Sequence, residues 1–116
     1  MNSLSLVLPC YNESKSLRNL VSRVLYCTEQ YKLTPDQFRL ILVENGSQDN
    51  SREVFKQILL EKGAEYIDVI YIDKNEGYGN GVFQGVKSAK TKIIAWTHAD
   101  EQCSPSDVFH AWNLIY

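Results

Sequence analysis

Four short, nearly continuous apolar runs, at residues 4–8, 38–43, 66–72 and 93–97, alternate along the chain with segments of helical apolar spacing. A strand that is apolar at successive positions has no face to give to water, so it is buried on both sides. Strands of that kind, each followed by a helix, form a parallel sheet covered by its crossover helices. The helical stripes are Leu17, Leu20, Val21, Val24 and Leu25, then Val54, Phe55, Ile58 and Leu59, then Val82, Val86 and Ala89, and last Val108, Ala111, Trp112 and Ile115. The predicted order is β-α-β-α-β-α-β-α. The fold class is α/β, a mostly parallel sheet with helices on both faces.

Local signals punctuate these elements. Asn12, Glu13 and Ser14 offer starting side chains for the first helix, and Pro35-Asp36 interrupts the chain before the second strand. Asn50 and Glu53 have capping-box spacing, and Gly63 is expected to end that helix. Ser104, Pro105 and Asp107 fit the N-cap, first turn and N3 of a last helix. That helix runs to the terminus with no closing loop or strand. Residues 1–116 therefore read as one N-terminal part of a domain that continues.

Composition narrows the partners. At 116 residues the chain has the size of one small domain. Its formal net charge of −2 leaves no basic stripe for a nucleic-acid partner. Cys10, Cys27 and Cys103 are far apart, with no CxxC or Cys/His pair spaced for zinc. They are expected as reduced thiols in a cytoplasmic chain. No apolar run approaches the roughly 20 residues that span a bilayer. The run at residues 4–8 is also shorter than the roughly 7–15 residues of a signal-peptide core. A longer parent protein could still be membrane-associated.

In an open parallel sheet all strands end on one edge, and ligands bind there. The first strand is followed by Pro9-Cys10-Tyr11-Asn12-Glu13 and the second by Glu44-Asn45-Gly46-Ser47-Gln48-Asp49. The third leads into Asp73-Lys74-Asn75-Glu76-Gly77-Tyr78-Gly79-Asn80-Gly81, and the fourth into His98-Ala99-Asp100-Glu101-Gln102. Core packing does not require four polar clusters on one rim; a binding site does.

Each cluster has a chemical and a plain reading. Pro9 gives a rigid exit from its strand. Tyr11 can flank a base or be an exposed turn residue. Glu13 can accept from a base or ribose, or favour the first helical turn through the dipole. Glu44 can accept a base N–H, whereas Asp49 is expected as a cap for the next helix. Gly77, Gly79 and Gly81 let backbone approach a phosphate or sugar ahead of a helix N-terminus. This is neither the dinucleotide fingerprint, because residue 82 is Val82, nor a P-loop, because no Gly-Lys-Ser/Thr appears. Asp100 suits a hard divalent cation that also binds phosphates. His98, two residues earlier, shares its face if the strand persists.

In this order the clusters resemble family 2 glycosyltransferases, the group of dolichol-phosphate mannose synthase-like enzymes. Residues 8–13 resemble the family's P-x-Y-N-E opening, and residues 43–49 its V-D-D-G-S-x-D. Residues 75–81, running on to Gly85 and Ala89, resemble its N-x-G-x-G segment. Residues 96–102 resemble the stretch around D-A-D-x-Q, with Pro105 at the proline that often follows. The resemblance implies the Rossmann-like nucleotide-binding half of a GT-A fold. It implies that Pro9, Tyr11, Glu13 and Glu44 line a nucleoside pocket. Gly77 and Gly79 would lie near ribose and diphosphate, His98 beside the ribose or metal, and Asp100 on Mg²⁺ or Mn²⁺. The implied activity is transfer from a UDP- or GDP-linked sugar to an acceptor, usually with inversion.

Three departures qualify that pattern. Glu44 and Asn45 stand where the family has paired aspartates, and His98 stands at the first Asp of D-x-D. The acceptor half, which carries the catalytic base, has no counterpart here. A degenerate, non-catalytic nucleotide-binding domain is the alternative reading, and His98 is the feature behind it. A phospho-receiver domain is disfavoured by Pro9-Cys10-Tyr11 after the first strand. A nucleotidyltransferase would carry its glycine-rich loop there. The acceptor, and homo-oligomer formation, are left open.

Overall fold

The computed structural model describes residues 3–98 and 104–115. Its strands are β1 (Leu4–Cys10), β2 (Phe38–Asn45), β3 (Ile67–Ile72) and β4 (Ile93–Trp96), and its helices are α1 (Ser14–Gln30), α2 (Ser51–Ile58), α3 (Tyr78–Ser88) and α4 (Pro105–Ile115). The sheet order is β3-β2-β1-β4, and every pairing is parallel. The expected alternation and fold class are therefore present, and all four strands end on one rim.

Burial follows position in the sheet. β1 and β2 are central and buried along their whole lengths, apart from half-buried Arg39. The edge strands β3 and β4 keep several positions half-open. One face carries the larger core: Leu4, Leu6, Leu8, Leu40 and Leu42 pack beneath α1, α2 and α4. The other face carries Val7, Ile41 and Val43 beneath α3. Helices thus cover both faces, unequally.

Pro9 sits inside a central strand, where a missing N–H is normally costly. In parallel pairing a residue's N–H and C=O point to the same neighbour. The Val7 carbonyl accepts from Thr97 on the β4 side. Pro9 shares that direction, and the last β4 pair is Val7 with Trp96. The absent N–H therefore costs no ladder bond.

Several local expectations change. β1 and β2 each run two residues further than expected, to Cys10 and Asn45. A 3-10 turn, Ala64–Tyr66, precedes β3, so β3 begins at Ile67 rather than at residue 66. α2 ends at Ile58, and Gly63 opens the 3-10 turn with φ +97° instead of closing the helix. The Asn50–Glu53 capping box does not form, because Asn50 makes no side-chain cap bond. On α4, Phe109 is fully buried, stacked on Tyr31 and tilted against Phe38, whereas Ala111 is exposed. The buried stripe therefore runs through Phe109 and Trp112, with Val108 half-buried. The side chain of Ile115 lies outside the described residues.

Candidate functional site

At the rim, the loop after β2 is the hub. Glu44, the penultimate residue of β2, has its side chain fully buried. Its Oε1 accepts from the Ser47 N–H at 2.7 Å, and its Oε2 accepts from Arg52 Nε at 2.7 Å. Arg52 also donates to the Ile72 carbonyl at 2.9 Å, lies 3.5 Å from Asp73, and covers the Tyr71 ring at 5.5 Å. The hydrogen bond to Glu44 raises the guanidinium pKa further above its ordinary value, against the opposing effect of desolvation. Burial raises the Tyr71 hydroxyl, with Arg52 opposing. Beneath them, burial drives the Cys10 thiol well above the ordinary range, with Glu13 and Glu44 adding to the effect. Cys10 and Cys27 are both buried free thiols.

A second set of bonds ties this hub to the loop after β1. Asn12, at φ +53°, accepts from the Gln48 N–H at 2.8 Å and the Asp49 N–H at 3.2 Å through Oδ1. Its own N–H donates to Ser47 Oγ at 2.9 Å. Asp49 accepts from the Ser51 N–H at 2.9 Å and from the Ser14 N–H at 3.4 Å. Desolvation pushes the Asp49 carboxyl up, but these serine hydrogen bonds outweigh it and hold the pKa below its usual value. Asp49 thus serves the start of α2 as expected, and steadies α1 as well. Asn12 bridges loops rather than capping α1; the N-cap is Glu13, which makes no side-chain cap bond. Glu13 accepts instead from Ser16 Oγ at 2.9 Å.

The loop after β3 behaves differently. A Cβ added to Gly77 or Gly79 would meet nothing within 4 Å, whereas one on Gly81 would lie 2.9 Å from Asn45 Nδ2 and 3.2 Å from Pro9 Cβ. One on Gly85 would lie 2.3 Å from Val7 Cγ1. The glycine run therefore divides: Gly77 and Gly79 leave open space before α3, while Gly81 and Gly85 seat the helix on the sheet. At the same end, the exposed ring of His98 stacks on Tyr78, with centroids 4.8 Å apart.

The expected residues distribute as follows. Pro9, Tyr11, Glu13, Glu44, Gly77, Gly79 and His98 all lie at the carboxyl end of the sheet. Tyr11 is exposed, Glu13 half-buried, and Glu44 turned inward. Asp100, the expected metal ligand, lies outside the described residues. Among the described residues no group of three or more His, Cys, Asp or Glu side chains gathers to hold a metal. Arg52 was not anticipated, and Asn12 was expected to start α1 rather than to bridge two loops. A basic side chain in the first turn of a helix opposes the helix dipole, and that opposition was the available signal for Arg52.

Known proteins share this fold. The family model for glycosyl transferase family 2 matches residues 5–116. The undecaprenyl-phosphate 4-deoxy-4-formamido-L-arabinose transferase of Aeromonas hydrophila is 30% identical over 105 residues, covering 90% of this chain and 31% of that protein. Its counterpart in Photorhabdus laumondii is 32% identical over 108 residues, covering 93% of this chain and 32% of its own length. The chain thus spans about a third of the length of these relatives. Among solved structures, S. aureus TarS 1-349 in complex with UDP superposes with a TM-score of 0.76 at 16% identity, over 97% of this chain and 32% of that one. The mannosyltransferase PcManGT from Pyrobaculum calidifontis, in complex with GDP-Man and Mn²⁺, gives 0.73 at 16% identity, over 85% and 28%. At such identities the likeness shows the fold, which is the GT-A type. No described helix is long and apolar enough to cross a membrane. Because the family model spans nearly the whole chain, this chain belongs to glycosyl transferase family 2.

Proposed function

We propose that this chain supplies the donor-binding side of a sugar transfer from a nucleoside diphosphate-linked sugar. The observation that carries the reading is the open step between Gly77 and Gly79 at the start of α3, on the rim where the four loops meet. A helix start with open space beside its glycines suits a diphosphate. Tyr11 is exposed and free to flank the base, with Pro9 and Glu13 shaping the pocket from β1. Glu44 acts there through the loop that its carboxylate folds.

His98 and Asp100 would hold the cation. A donor set of one imidazole, one carboxylate and phosphate oxygens suits Mn²⁺ better than Mg²⁺. When bound, the cation neutralises charge developing on the nucleoside diphosphate leaving group. The sugar passes to its acceptor by in-line displacement, with inversion. The base that deprotonates the acceptor belongs to sequence outside residues 1–116. The similarity to undecaprenyl-phosphate transferases supports a lipid phosphate as the acceptor class.

Isothermal titration of the chain with UDP and GDP, with and without Mn²⁺, tests the donor site. Metal-dependent binding that Asp100→Ala abolishes supports it, and the preferred base assigns the donor. A folded chain that binds neither nucleotide overturns the donor site in residues 1–116.

A further inference from the structure

We propose that Asn45 is a positioning residue: its buried carboxamide holds the Gly77 carbonyl and so keeps the loop before α3 in the form that receives the diphosphate. The inference rests on the donor-site reading above. Asn45 is the last residue of β2 and only 2% exposed. Its Nδ2 donates to the Gly77 carbonyl at 3.2 Å. The Gly77 N–H donates in turn to Asn75 Oδ1 at 2.7 Å. Two asparagines thus fix Gly77 from both sides, at φ +103° and ψ 163°, a backbone conformation open essentially to glycine alone.

The surroundings are shaped for that carboxamide. Gly81 leaves the room that Nδ2 occupies. Gly46, the next residue, has φ +70°, and a Cβ there would lie 2.4 Å from the Asn75 nitrogen. Residues 45 and 46 therefore hold the same loop, one by a hydrogen bond and one by backbone approach. Asn45 Oδ1 is buried without a partner. An orphaned buried acceptor costs free energy, so burial alone does not favour an amide here. The N–H donor is the part in use. A carboxylate at residue 45 has no proton to give the Gly77 carbonyl, whereas a carboxylic acid has one.

That difference supplies the test. Wild type, Asn45→Asp and Asn45→Ala are compared as the full 116-residue chain, by titration with UDP and GDP in Mn²⁺ from about pH 8 to about pH 5. The carbonyl ¹³C shift of Gly77 is followed without ligand over the same range. Burial disfavours the charged form of an aspartate at 45, so its pKa is raised. Donation to Gly77 is then present at low pH and lost as pH rises through that raised pKa. Other titratable groups at this end include His98, stacked on Tyr78, Glu44, which is turned to the opposite face against Arg52, exposed Asp73, Glu76 next to Gly77, Glu13 and Asp49. All are common to the three proteins, so wild type is the control.

The expectation is that Asn45→Asp binds about tenfold more weakly than wild type at high pH, the worth of one hydrogen bond. It recovers towards wild type at low pH, together with the Gly77 shift, while Asn45→Ala stays weak throughout. A merely structural role would not produce recovery confined to the acid. Wild-type affinity and an unchanged Gly77 shift in Asn45→Asp at high pH would overturn the proposal. If wild type binds neither nucleotide, the donor reading fails, and the ligand-free Gly77 shift still decides whether residue 45 sets the loop. If Asn45→Asp does not fold, Asn45→Ala decides: an unmoved Gly77 shift and unchanged affinity overturn the proposal.

Discussion

The loops after β2 and after β3 lie side by side on one rim, and they use their polar residues in opposite ways. In the first, Glu44, Ser47, Asp49 and Arg52 spend their hydrogen-bonding capacity on the protein itself. In the second, Gly77 and Gly79 are exposed, with nothing in front of either Cα. A motif rich in charge is therefore not the same as a surface that offers charge to a ligand. The charged loop is the frame, and the glycine loop is the opening it holds.

The largest expected effect breaks the frame. Glu44→Ala leaves the Ser47 N–H without its acceptor and Arg52 without its buried partner. Arg52 is 36% exposed and can turn towards water, so the loss comes mainly from the orphaned Ser47 N–H and the emptied Glu44 site, up to about 3 kcal/mol. Urea unfolding of the variant against wild type measures it. A loss below about 1 kcal/mol, no more than a typical single hydrogen bond, would show that the Glu44 network does not frame the rim.

A smaller effect tests the strap between loops. Asn12→Ala removes the acceptor of two backbone N–H groups and puts alanine at φ +53°. The expected loss is about 1–2 kcal/mol, as for a lost cap. Asn12→Gly separates the two causes, because glycine accepts that φ without strain. If the hydrogen bonds dominate, both variants lose similar stability. If strain dominates, only the alanine does.

How much of this was legible follows from what each feature depends on. The strands and the sheet order's parallel character depend on local apolar runs, and these were visible. Asp49 as a cap depends on a residue two positions away, and was visible too. The capping box at Asn50 and Glu53 does not form, because the Glu53 N–H bonds the Asn50 carbonyl rather than its side chain. The phase of α4 was misread because Val108 and Phe109 are adjacent and both apolar; only packing against Tyr31 and Phe38 selects Phe109. Arg52 meets Glu44 eight residues away and Ile72 twenty residues away, which no local pattern encodes. The division of the glycines also depends on distant atoms, those of Val7, Pro9 and Asn45.

The smallest effect on stability sharpens the comparison most. Gly79→Ala adds a methyl group where nothing lies within 4 Å, inside the first turn of a helix. Alanine is the better helix former by about 0.8–1.0 kcal/mol in a helix interior, so stability should hold or rise slightly. Gly81→Ala, two residues on, places its methyl 2.9 Å from Asn45 Nδ2 and should cost about 1–3 kcal/mol of overpacking. Two identical substitutions in one glycine run are thus expected to differ in sign. Nucleotide affinity then reads the function. If the open step receives the diphosphate, Gly79→Ala weakens UDP or GDP binding in a chain that is no less stable. Unfolding and titration on the same samples separate the two quantities. A stable Gly79→Ala protein with wild-type affinity would mean that the opening before α3 faces solvent and not the donor.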